Sequence, residues 1–497
     1  MIWYQINPDY FSDIARSKNY VASDDNSLLF SIIQKSLTSI FNNGFDGIWL
    51  MPLYIRGVEG CKGKGSPYAV KEYVIDNRYG TDEELIQLIK SAHEMGFKII
   101  TEFIPNHLSI DNVYISSHPN IIYKNIDGEH VYDQNWTDTI KLNNSEKKTS
   151  QFIINVLKSI ISKYSFDGFR LDMAHYSFYD PDGKRTRPNF WTDIIKNSFL
   201  NSDAIILIAE VYDDKNNDDM GYADQIELVK SGMQVYDKKI RDIVISNLKY
   251  PNSSIIQETI YSELCNQFNA SIKAGLVMNN PFLRIISNHD DNPGVKDSGG
   301  ISNYILLSTF LCMLPGDLMI YNGDEFGLEV KLSLQGEDVF DEFGNLKESK
   351  KLHYVKETDQ EIISKNIIRL FNIRKSLKNI PDNSFFQIRL TSNDNNVLNN
   401  VAAYIRYSEY TNKLYVICAN FSSDAEIWCN ANQFYPEFGT NLQLNFQSLY
   451  KDIFGNSSKY SVTELITGQF LNNRNIAEDF YIGLKPKQVQ ILSISAV

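Results

Sequence analysis

Short apolar segments alternate with helical patterns along the first three quarters of the chain. Between the apolar segments, hydrophobic residues recur at helical spacing, which predicts helices at 28–42, 151–163, 190–200 and 304–314. Eight apolar segments of strand length alternating with helices predict a (β/α)₈ TIM barrel. The eight predicted strands are Ile2–Ile6, Gly47–Pro52, Lys98–Phe103, Gly168–Asp172, Ala204–Ala209, Gly232–Tyr236, Phe282–Ser287 and Leu318–Tyr321.

Two regions depart from this alternation. Residues 108–143 are polar and poor in helical period, which predicts a small inserted domain after the third strand. From about Pro381, short alternating strands are separated by Asn, Asp, Ser and Gly clusters, which predicts a C-terminal antiparallel β-sandwich domain. We therefore expect a catalytic barrel at 1–380 with the insertion at 108–143, followed by an all-β domain at 381–497.

Charge and cysteine content limit the binding partners, metal sites and disulfides that the chain is expected to have. The chain has 497 residues and a net charge of −13, which argues against nucleic acid and anionic membranes, because both favour a basic face. The five cysteines are scattered without a C-x-x-C spacing, so neither a zinc site nor a disulfide framework is predicted. The first residues lack a signal-peptide pattern, and no run of about 18 apolar residues occurs. We expect a cytoplasmic protein with no membrane partner.

The segment Phe166–Tyr176 carries Arg170, Asp172 and His175 directly along and after the fourth predicted strand. Burying an ionised carboxylate costs several kcal/mol unless it is paired, so this strand should end in a polar pocket. A structural Arg–Asp pair at the strand end is the alternative.

Three further strand ends carry polar residues, at Glu102–His107, Ala209–Tyr212 and Ser287–Asp290. The carboxyl ends of barrel strands meet on one face, so three acids and two histidines should share a pocket.

These four segments resemble, in the same order, the four short conserved regions of the α-amylase family of glycoside hydrolases. The resemblance extends to flanking segments such as Gly47–Pro52 and Ser66–Tyr68, and it covers nearly the whole chain. It implies a retaining mechanism in which Asp172 is the nucleophile that forms a covalent glycosyl intermediate. Glu210 would be the general acid and then the base, and Asp290 would hold and distort the sugar.

The resemblance also implies substrate-binding residues. Arg170 would keep the nucleophile ionised, Tyr68 would lie under the sugar ring, and His175 would contact the sugar on the leaving side. The hydroxyls of the cleaved sugar would be bound by His107 and His289.

Two positions depart from the family pattern, and metal binding stays open. The first conserved region normally begins with Asp and here has Glu102, and the residue after the platform tyrosine, often Asp, is Ala69.

Many members bind a structural calcium through the Asn before the first-region histidine, here Asn106. Its other ligands are unassigned, with Asp111, Asp127 and Asp133 as candidates by charge alone. We expect no required cofactor.

The expected activity is hydrolysis of α-glucosidic bonds, α-1,4 first among them, in malto-oligosaccharides or related α-glucans. Transglycosylation uses the same glycosyl intermediate and stays open. A non-catalytic barrel used for binding should have lost one of the three acids, and all three are present. A phosphate- or nucleotide-using enzyme is disfavoured, because no glycine-rich phosphate loop precedes a helix.

Overall fold

The computed structural model describes most of the chain, and the strands and helices below all lie in the described part. The described residues are 1–61, 64–132, 136–212, 222–251, 255–276, 280–334, 352–377, 385–394, 396–408, 411–435, 444–455, 457, 459–475, 478 and 480–497.

The strands are, in chain order, β1 (Ile2–Ile6), β2 (Gly47–Leu50), β3 (Tyr54–Arg56), β4 (Val70–Ile75), β5 (Lys98–Phe103), β6 (His107–Ser109), β7 (Thr139–Lys141), β8 (Gly168–Leu171), β9 (Ile206–Ala209), β10 (Gln234–Asp237), β11 (Phe282–Ile285), β12 (Leu318–Tyr321), β13 (Phe385–Thr391), β14 (Val401–Ser408), β15 (Lys413–Asn420), β16 (Ile427–Tyr435), β17 (Leu444–Asn445), β18 (Lys459–Glu464), β19 (Gln469–Asn475), β20 (Tyr481–Leu484) and β21 (Val489–Ala496).

The α-helices are α1 (Phe11–Ser17), α2 (Leu29–Asn42), α3 (Asp82–Glu94), α4 (Tyr114–Ser117), α5 (Lys147–Tyr164), α6 (Phe190–Lys196), α7 (Ala223–Lys230), α8 (Lys239–Lys249), α9 (Ile256–Lys273), α10 (Gly294–Ser298), α11 (Ile301–Cys312), α12 (Glu357–Ser376) and α13 (Phe446–Phe454). None of the helices in the described ranges is long and apolar enough to cross a bilayer.

The eight predicted strands form one closed parallel barrel, in the order β1, β2, β5, β8, β9, β10, β11 and β12. The predicted TIM barrel is therefore confirmed. Glycine is required at Gly168, because a Cβ there would lie 1.8 Å from the Ile206 carbonyl oxygen on the neighbouring strand. Large apolar side chains, among them Trp3 and Trp49, form a core cluster on the barrel strands, so the barrel is packed rather than hollow.

Helix α3, on the outside of the barrel, shows how the local sequence determines where a helix begins and which face it buries. The Thr81 side chain accepts a hydrogen bond from the Glu84 N–H, and the Glu84 carboxylate accepts one from the Thr81 N–H, which completes a capping box. The apolar positions predicted for its inner face, from Leu85 to Ala92, are buried. Similar apolar faces on helices α2, α5 and α8 belong to the same core cluster.

The chain after the third barrel strand forms a small antiparallel hairpin. Strand β6 pairs with β7, and His107 lies opposite Lys141. His107 is therefore held between the end of strand β5 and the segment predicted as an insertion. The limits 108–143 stay a prediction.

The C-terminal region is the predicted antiparallel β structure, built as one nine-stranded sheet. Its inner face has a separate apolar core. The Tyr404 hydroxyl donates to the Phe310 carbonyl at 2.6 Å, and Gln257 Nε2 donates to the Leu390 carbonyl at 3.0 Å, so the sheet is bonded to barrel helices. The boundary at 380/381 stays a prediction, because residues 378–384 lie outside the described part of the chain.

Candidate active site

A cavity of about 630 Å³ opens at the carboxyl ends of the barrel strands. Six of the residues predicted from the sequence line it, and Arg170 lies buried beside it. The lining residues are Ser66, Tyr68, Ala69, His107, Trp136, Asp138, Thr139, Asp172, Met173, Glu210, Tyr212, His289, Asp290, Lys331, Leu332, Ser333 and Leu334. The three predicted acids thus share one cavity.

Arg170 is the electrostatic centre of this site. Its side chain is fully buried, and its guanidinium contacts three carboxylates: NH1 binds Glu102 and Asp172, and NH2 binds Glu210, each at 2.7 Å. Nε donates to the Tyr236 hydroxyl at 3.1 Å. Strand alternation directs the side chains of Arg170 and Asp172 to one side, so the cation that fixes the site is encoded two residues before Asp172.

Glu102 fits this network although the family pattern has Asp at this position. Strands β5 and β8 pair with Glu102 opposite Arg170, and the carboxylate is fully buried. Its Oε2 accepts from Arg170 NH1, and its Oε1 accepts from Trp49 Nε1 at 2.9 Å. Burial raises the pKa of Glu102 to about 7, while the positive charge of Arg170 acts against that rise.

Asp172 is held at the end of strand β8. Its backbone N–H donates to the Phe103 carbonyl at 2.9 Å, and its Oδ1 accepts from Arg170. Burial raises the pKa of Asp172, and the contact with the guanidinium opposes that effect. The ion pair therefore offsets part of the cost of burying the charged carboxylate.

One cation and two hydrogen-bond donors contact Glu210. Its Oε2 forms an ion pair with Arg170 NH2 at 2.7 Å and accepts from the Met173 backbone N–H at 2.8 Å, while its Oε1 accepts from the Tyr212 hydroxyl at 2.8 Å. Met173 has a left-handed backbone with φ of 41°. This turn directs the N–H after Asp172 towards the neighbouring strand end, so Glu210 is oriented by backbone as well as by side chains.

His289 is neutral and stacked on Tyr68. The two rings are nearly parallel, with centroids 5.5 Å apart, and His289 Nε2 lies 2.8 Å from the Tyr68 hydroxyl oxygen. On the other side of the ring, Nδ1 lies 3.0 Å from Gln5 Nε2. Burial lowers the pKa of His289 to about 3, so its ring adds no charge to the cavity near neutral pH.

Asp290 lies at the more open part of the site, with 43% of its side chain exposed. Its backbone N–H donates to Asn288 Oδ1 at 3.0 Å, and its carbonyl oxygen accepts from Lys331 Nζ. Desolvation raises the pKa of Asp290, and the nearby charges of Arg170 and Lys331 oppose the rise. Lys331 thus reaches from the loop after the last barrel strand to the turn that carries Asp290.

The geometry does not place His175 in the cavity wall. This residue is buried in the short turn Ala174–Phe178, and the cavity is lined by Met173 at this end of β8. Its contact with a sugar stays a prediction without geometric support. His107 does line the cavity, where its ring packs 5.3 Å from that of Trp136.

Sequence reasoning missed several lining residues. Tyr212 could have been found, because it lies two positions after Glu210 and alternation favours the same side. Trp136 and Lys331 carried no such signal, since both lie on loops far along the chain from the four strand ends. Ala69, the second departure from the family pattern, lines the cavity with a methyl group.

The residues considered for calcium do not converge in the described part of the chain. Asn106 Nδ2 lies 3.0 Å from His107 Nδ1, and its buried Oδ1 has no hydrogen-bond partner there. Asp111 is paired with Lys71 at 3.1 Å, Asp127 is exposed, and Asp133 lies outside the described residues. The described part of the chain includes no group of three or more His, Cys, Asp or Glu side chains that could hold a metal ion. Calcium therefore stays unassigned.

Comparison with known families decides the assignment. The family model for the α-amylase catalytic domain matches residues 5–127 and 122–361, which is well over half of the chain. The chain belongs to the α-amylase family. This confirms the resemblance that the four strand-end segments indicated.

Curated relatives within this family have different activities in their names. An α-amylase of Dictyoglomus thermophilum is 27% identical over 357 residues, which cover 66% of this chain and 65% of the relative. Maltase A1 of Drosophila melanogaster is 23% identical over 397 residues, again 66% and 65%. The chain thus matches just under two thirds of the length of each relative.

The fold is shared with solved structures over the whole chain. A noncanonic maltogenic α-amylase of Thermotoga neapolitana superposes with a TM-score of 0.71 at 19% identity, covering 100% of this chain and 99% of that one. At this level of identity the likeness shows the fold alone.

Proposed function

We propose that this protein is a retaining α-glycosidase that cleaves α-glucosidic bonds, mainly α-1,4, in malto-oligosaccharides or related α-glucans. The observation that carries the proposal is that one buried guanidinium binds both Asp172 and Glu210 at 2.7 Å within a single cavity. A shared cation brings the two carboxyl groups close together, and retaining enzymes need a separation of about 5–5.5 Å. Inverting enzymes need a wider gap for water.

From these contacts we assign a role to each oxygen of the first step. Asp172 Oδ1 is held by Arg170, so Oδ2 is the oxygen that attacks C1 of the sugar. Glu210 Oε2 is held by Arg170 and by the Met173 N–H, so Oε1 carries the proton that passes to the leaving oxygen. The glycosidic C–O bond breaks as the ester between Asp172 and C1 forms, and the first product leaves with the proton from Glu210.

The second step reverses these roles. Glu210, now a carboxylate, takes a proton from water, and the water oxygen attacks C1 and displaces Asp172. The Tyr212 hydroxyl bonds Oε1, so it stays close to the oxygen that loses and regains the proton. When a sugar hydroxyl replaces water, the same step yields transfer instead of hydrolysis.

The surrounding residues suit a transition state with positive charge on the sugar ring. His289 is neutral near pH 7 and introduces no opposing cation, while Asp290 supplies negative charge in the open part of the cavity. Tyr68 presents a ring held in place by its stack on His289. These features support Asp290 as the stabiliser of the transition state and Tyr68 as the platform under the sugar.

The relatives support α-glucan as the substrate class. Their names include α-amylases, a maltase and a 1,4-α-glucan-branching enzyme of Debaryomyces hansenii, 27% identical over 155 residues that cover 30% of this chain and 21% of that enzyme. The branching enzyme also keeps transglycosylation as a second candidate function. A non-catalytic role is disfavoured, since all three acids line the cavity.

A time course of maltoheptaose digestion by ¹H NMR tests the proposal. We expect loss of α-1,4 signals and initial release of products in the α-anomeric form, and the product lengths give the ratio of hydrolysis to transfer. Initial β-anomeric products would refute retention, and an untouched substrate would refute the substrate class.

A further inference from the structure

One polar residue interrupts the apolar first strand of the barrel. Gln5 lies in the β1 sequence IWYQI, and its side chain is completely buried. Trp3, two residues earlier, belongs to the core cluster of the barrel strands, so strand alternation directs Gln5 to the same side, nearer the carboxyl end. Burying an amide is unfavourable unless it is hydrogen-bonded, so its partner indicates what Gln5 does.

The partner of Gln5 is the ring of His289, which lines the cavity. Gln5 Nε2 lies 3.0 Å from His289 Nδ1. An amide nitrogen can only donate, so Nδ1 must accept. Burial lowers the pKa of His289 to about 3, so the ring is neutral near pH 7 and one of its two nitrogens carries a proton. That proton is therefore on Nε2.

The groups on the other side of the ring require the same tautomer. His289 Nε2 lies 2.8 Å from the Tyr68 hydroxyl oxygen and 3.4 Å from Asp290 Oδ1, and an ionised carboxylate can only accept. The Tyr68 hydroxyl has an acceptor of its own, since burial raises the pKa of Glu102 and hydrogen bonding from Tyr68 is among the contacts that oppose the rise. The Tyr68 oxygen can thus accept from Nε2–H.

These hydrogen bonds run in one direction through the site. Gln5 donates to His289, and His289 donates to Tyr68. Tyr68 donates to Glu102, which also accepts from Arg170, the cation that binds both reacting carboxyl groups. With the proton on Nδ1 instead, Nε2 would be an acceptor, and the one proton of the Tyr68 hydroxyl could not serve both the ring and Glu102.

We propose that Gln5 is a positioning residue, which fixes the proton of His289 on Nε2 and thereby orders the hydrogen bonds that hold the Tyr68 ring. Its link to catalysis rests on the proposed function, in which Tyr68 and His289 contact the sugar. Gln5 does not line the cavity, so it acts through His289 and not on the substrate.

Nitrogen-15 NMR of histidine-labelled protein measures the tautomer directly. Wild-type protein carrying [¹⁵N]histidine is measured at about pH 8, where the Glu102 carboxyl, with its pKa of about 7, is mostly ionised. The signals of His289 are those that disappear in His289→Asn. We expect a protonated Nε2 and an unprotonated Nδ1. A proton on Nδ1, in all or part of the population, would overturn the proposal.

A variant at position 5 connects the tautomer with turnover. Gln5→Glu keeps the size of the side chain and replaces the donor with an acceptor, so Nδ1 should gain a proton. Because this change alters the bonds of the Tyr68 ring, kcat/KM on maltoheptaose should fall at least about tenfold. An unprotonated Nδ1 in Gln5→Glu, or a changed tautomer with unchanged kcat/KM, would overturn the positioning role.

The control is Gln257→Glu, at another buried glutamine, whose amide donates to the Leu390 carbonyl at 3.0 Å. It introduces a carboxylate into an equally buried position outside the cavity lining. It should therefore lower Tm but leave the His289 signals unchanged and kcat/KM within about twofold of wild type. A loss of kcat/KM as large as that of Gln5→Glu would attribute both losses to destabilisation and overturn the role of Gln5.

The two proposals fail in different ways. If wild type shows the predicted tautomer but leaves maltoheptaose untouched, the order of the hydrogen bonds stands and the proposed function is refuted. If wild type cleaves maltoheptaose with the proton on Nδ1, only the role of Gln5 is refuted. The wild-type spectrum decides the tautomer even if Gln5→Glu does not fold.

Discussion

Glu102 is the residue at which this chain leaves its family pattern, and its replacement tests how the site is held together. The carboxylate joins two donors, Trp49 Nε1 at 2.9 Å and Arg170 NH1 at 2.7 Å, in a fully buried position. Aspartate is shorter by one methylene, about 1.5 Å, so it cannot reach both donors unless the guanidinium moves. Since Arg170 also positions Asp172 and Glu210, this movement should be transmitted to the reacting groups.

The size of the effect follows from this geometry. A misplacement of about 1 Å can cost up to 10²-fold in rate, so Glu102→Asp should lower kcat or leave it unchanged, although it restores the family residue. Glu102→Gln should be more harmful for two reasons. Its amide NH₂ would face one of the two donors, Trp49 Nε1 or Arg170 NH1, and the charge that pairs with Arg170 would be lost. An unsatisfied buried donor costs about 1–3 kcal/mol, which corresponds to roughly 5- to 150-fold in rate.

Steady-state kinetics on maltoheptaose at several pH values provide the assay. Burial raises the pKa of Glu102 to about 7, so its titration should contribute to the acidic limb of the wild-type pH–rate profile. This limb should therefore change in Glu102→Gln. Leu85→Val, on the buried face of helix α3, is the control for a general loss of packing. A Glu102→Asp variant much faster than wild type would refute the reasoning, and it would indicate an enzyme adapted away from ordinary α-glucans.

Three further predictions concern two acids of the cavity, the Tyr212 hydroxyl and a buried glutamate elsewhere in the barrel. Asp172→Asn and Glu210→Gln should each abolish turnover of maltoheptaose with little change in Tm, and a rate above about a tenth of wild type would contradict the assigned roles. Tyr212→Phe removes the hydrogen bond to Glu210 Oε1 and should lower kcat about tenfold, with an unchanged rate as the contrary result. Glu325 lies buried in the short turn Asp324–Phe326 that follows strand β12. Burial raises its pKa to about 7, so the folded state keeps a proton that the unfolded state releases, and the free energy of unfolding should fall as pH rises from about 4.5 to 7. In urea unfolding, the free energy of unfolding of Glu325→Gln should fall by up to about 3 kcal/mol less than that of wild type over this pH range. An identical pH dependence of the two proteins would contradict the buried, protonated state.

The barrel was predictable because parallel strands buried on both faces leave short apolar runs separated by amphipathic helices. The acids were predictable for a related reason, since strand ends in a barrel meet on one face and polar residues there must share a pocket. Asp172, Glu210 and Asp290 followed from this rule together with the family resemblance. Their common cavity agrees with it.

What the sequence did not predict depends on loops and on partners from distant segments. The bond from Trp49 to Glu102 joins neighbouring strands that are more than 50 residues apart, and no local pattern encodes it. The sequence did not predict that the chain turns at Met173 and buries His175 in the turn Ala174–Phe178, so the contact of His175 with the sugar stays a prediction. Lys331 reaches the turn of Asp290 from another loop, which only the folded chain brings near.

The most direct test of the central claim is to trap the glycosyl intermediate and locate it. The Glu210→Gln variant is incubated with a 5-fluoro-α-glucosyl fluoride, whose fluoride leaves without acid assistance, and the protein is digested and sequenced by tandem mass spectrometry. We predict a single fluoroglucosyl ester on Asp172, because its Oδ2 is the oxygen presented to C1 beside Glu210. A label on another carboxylate, or complete turnover of the reagent with inverted product and no label, would contradict the mechanism.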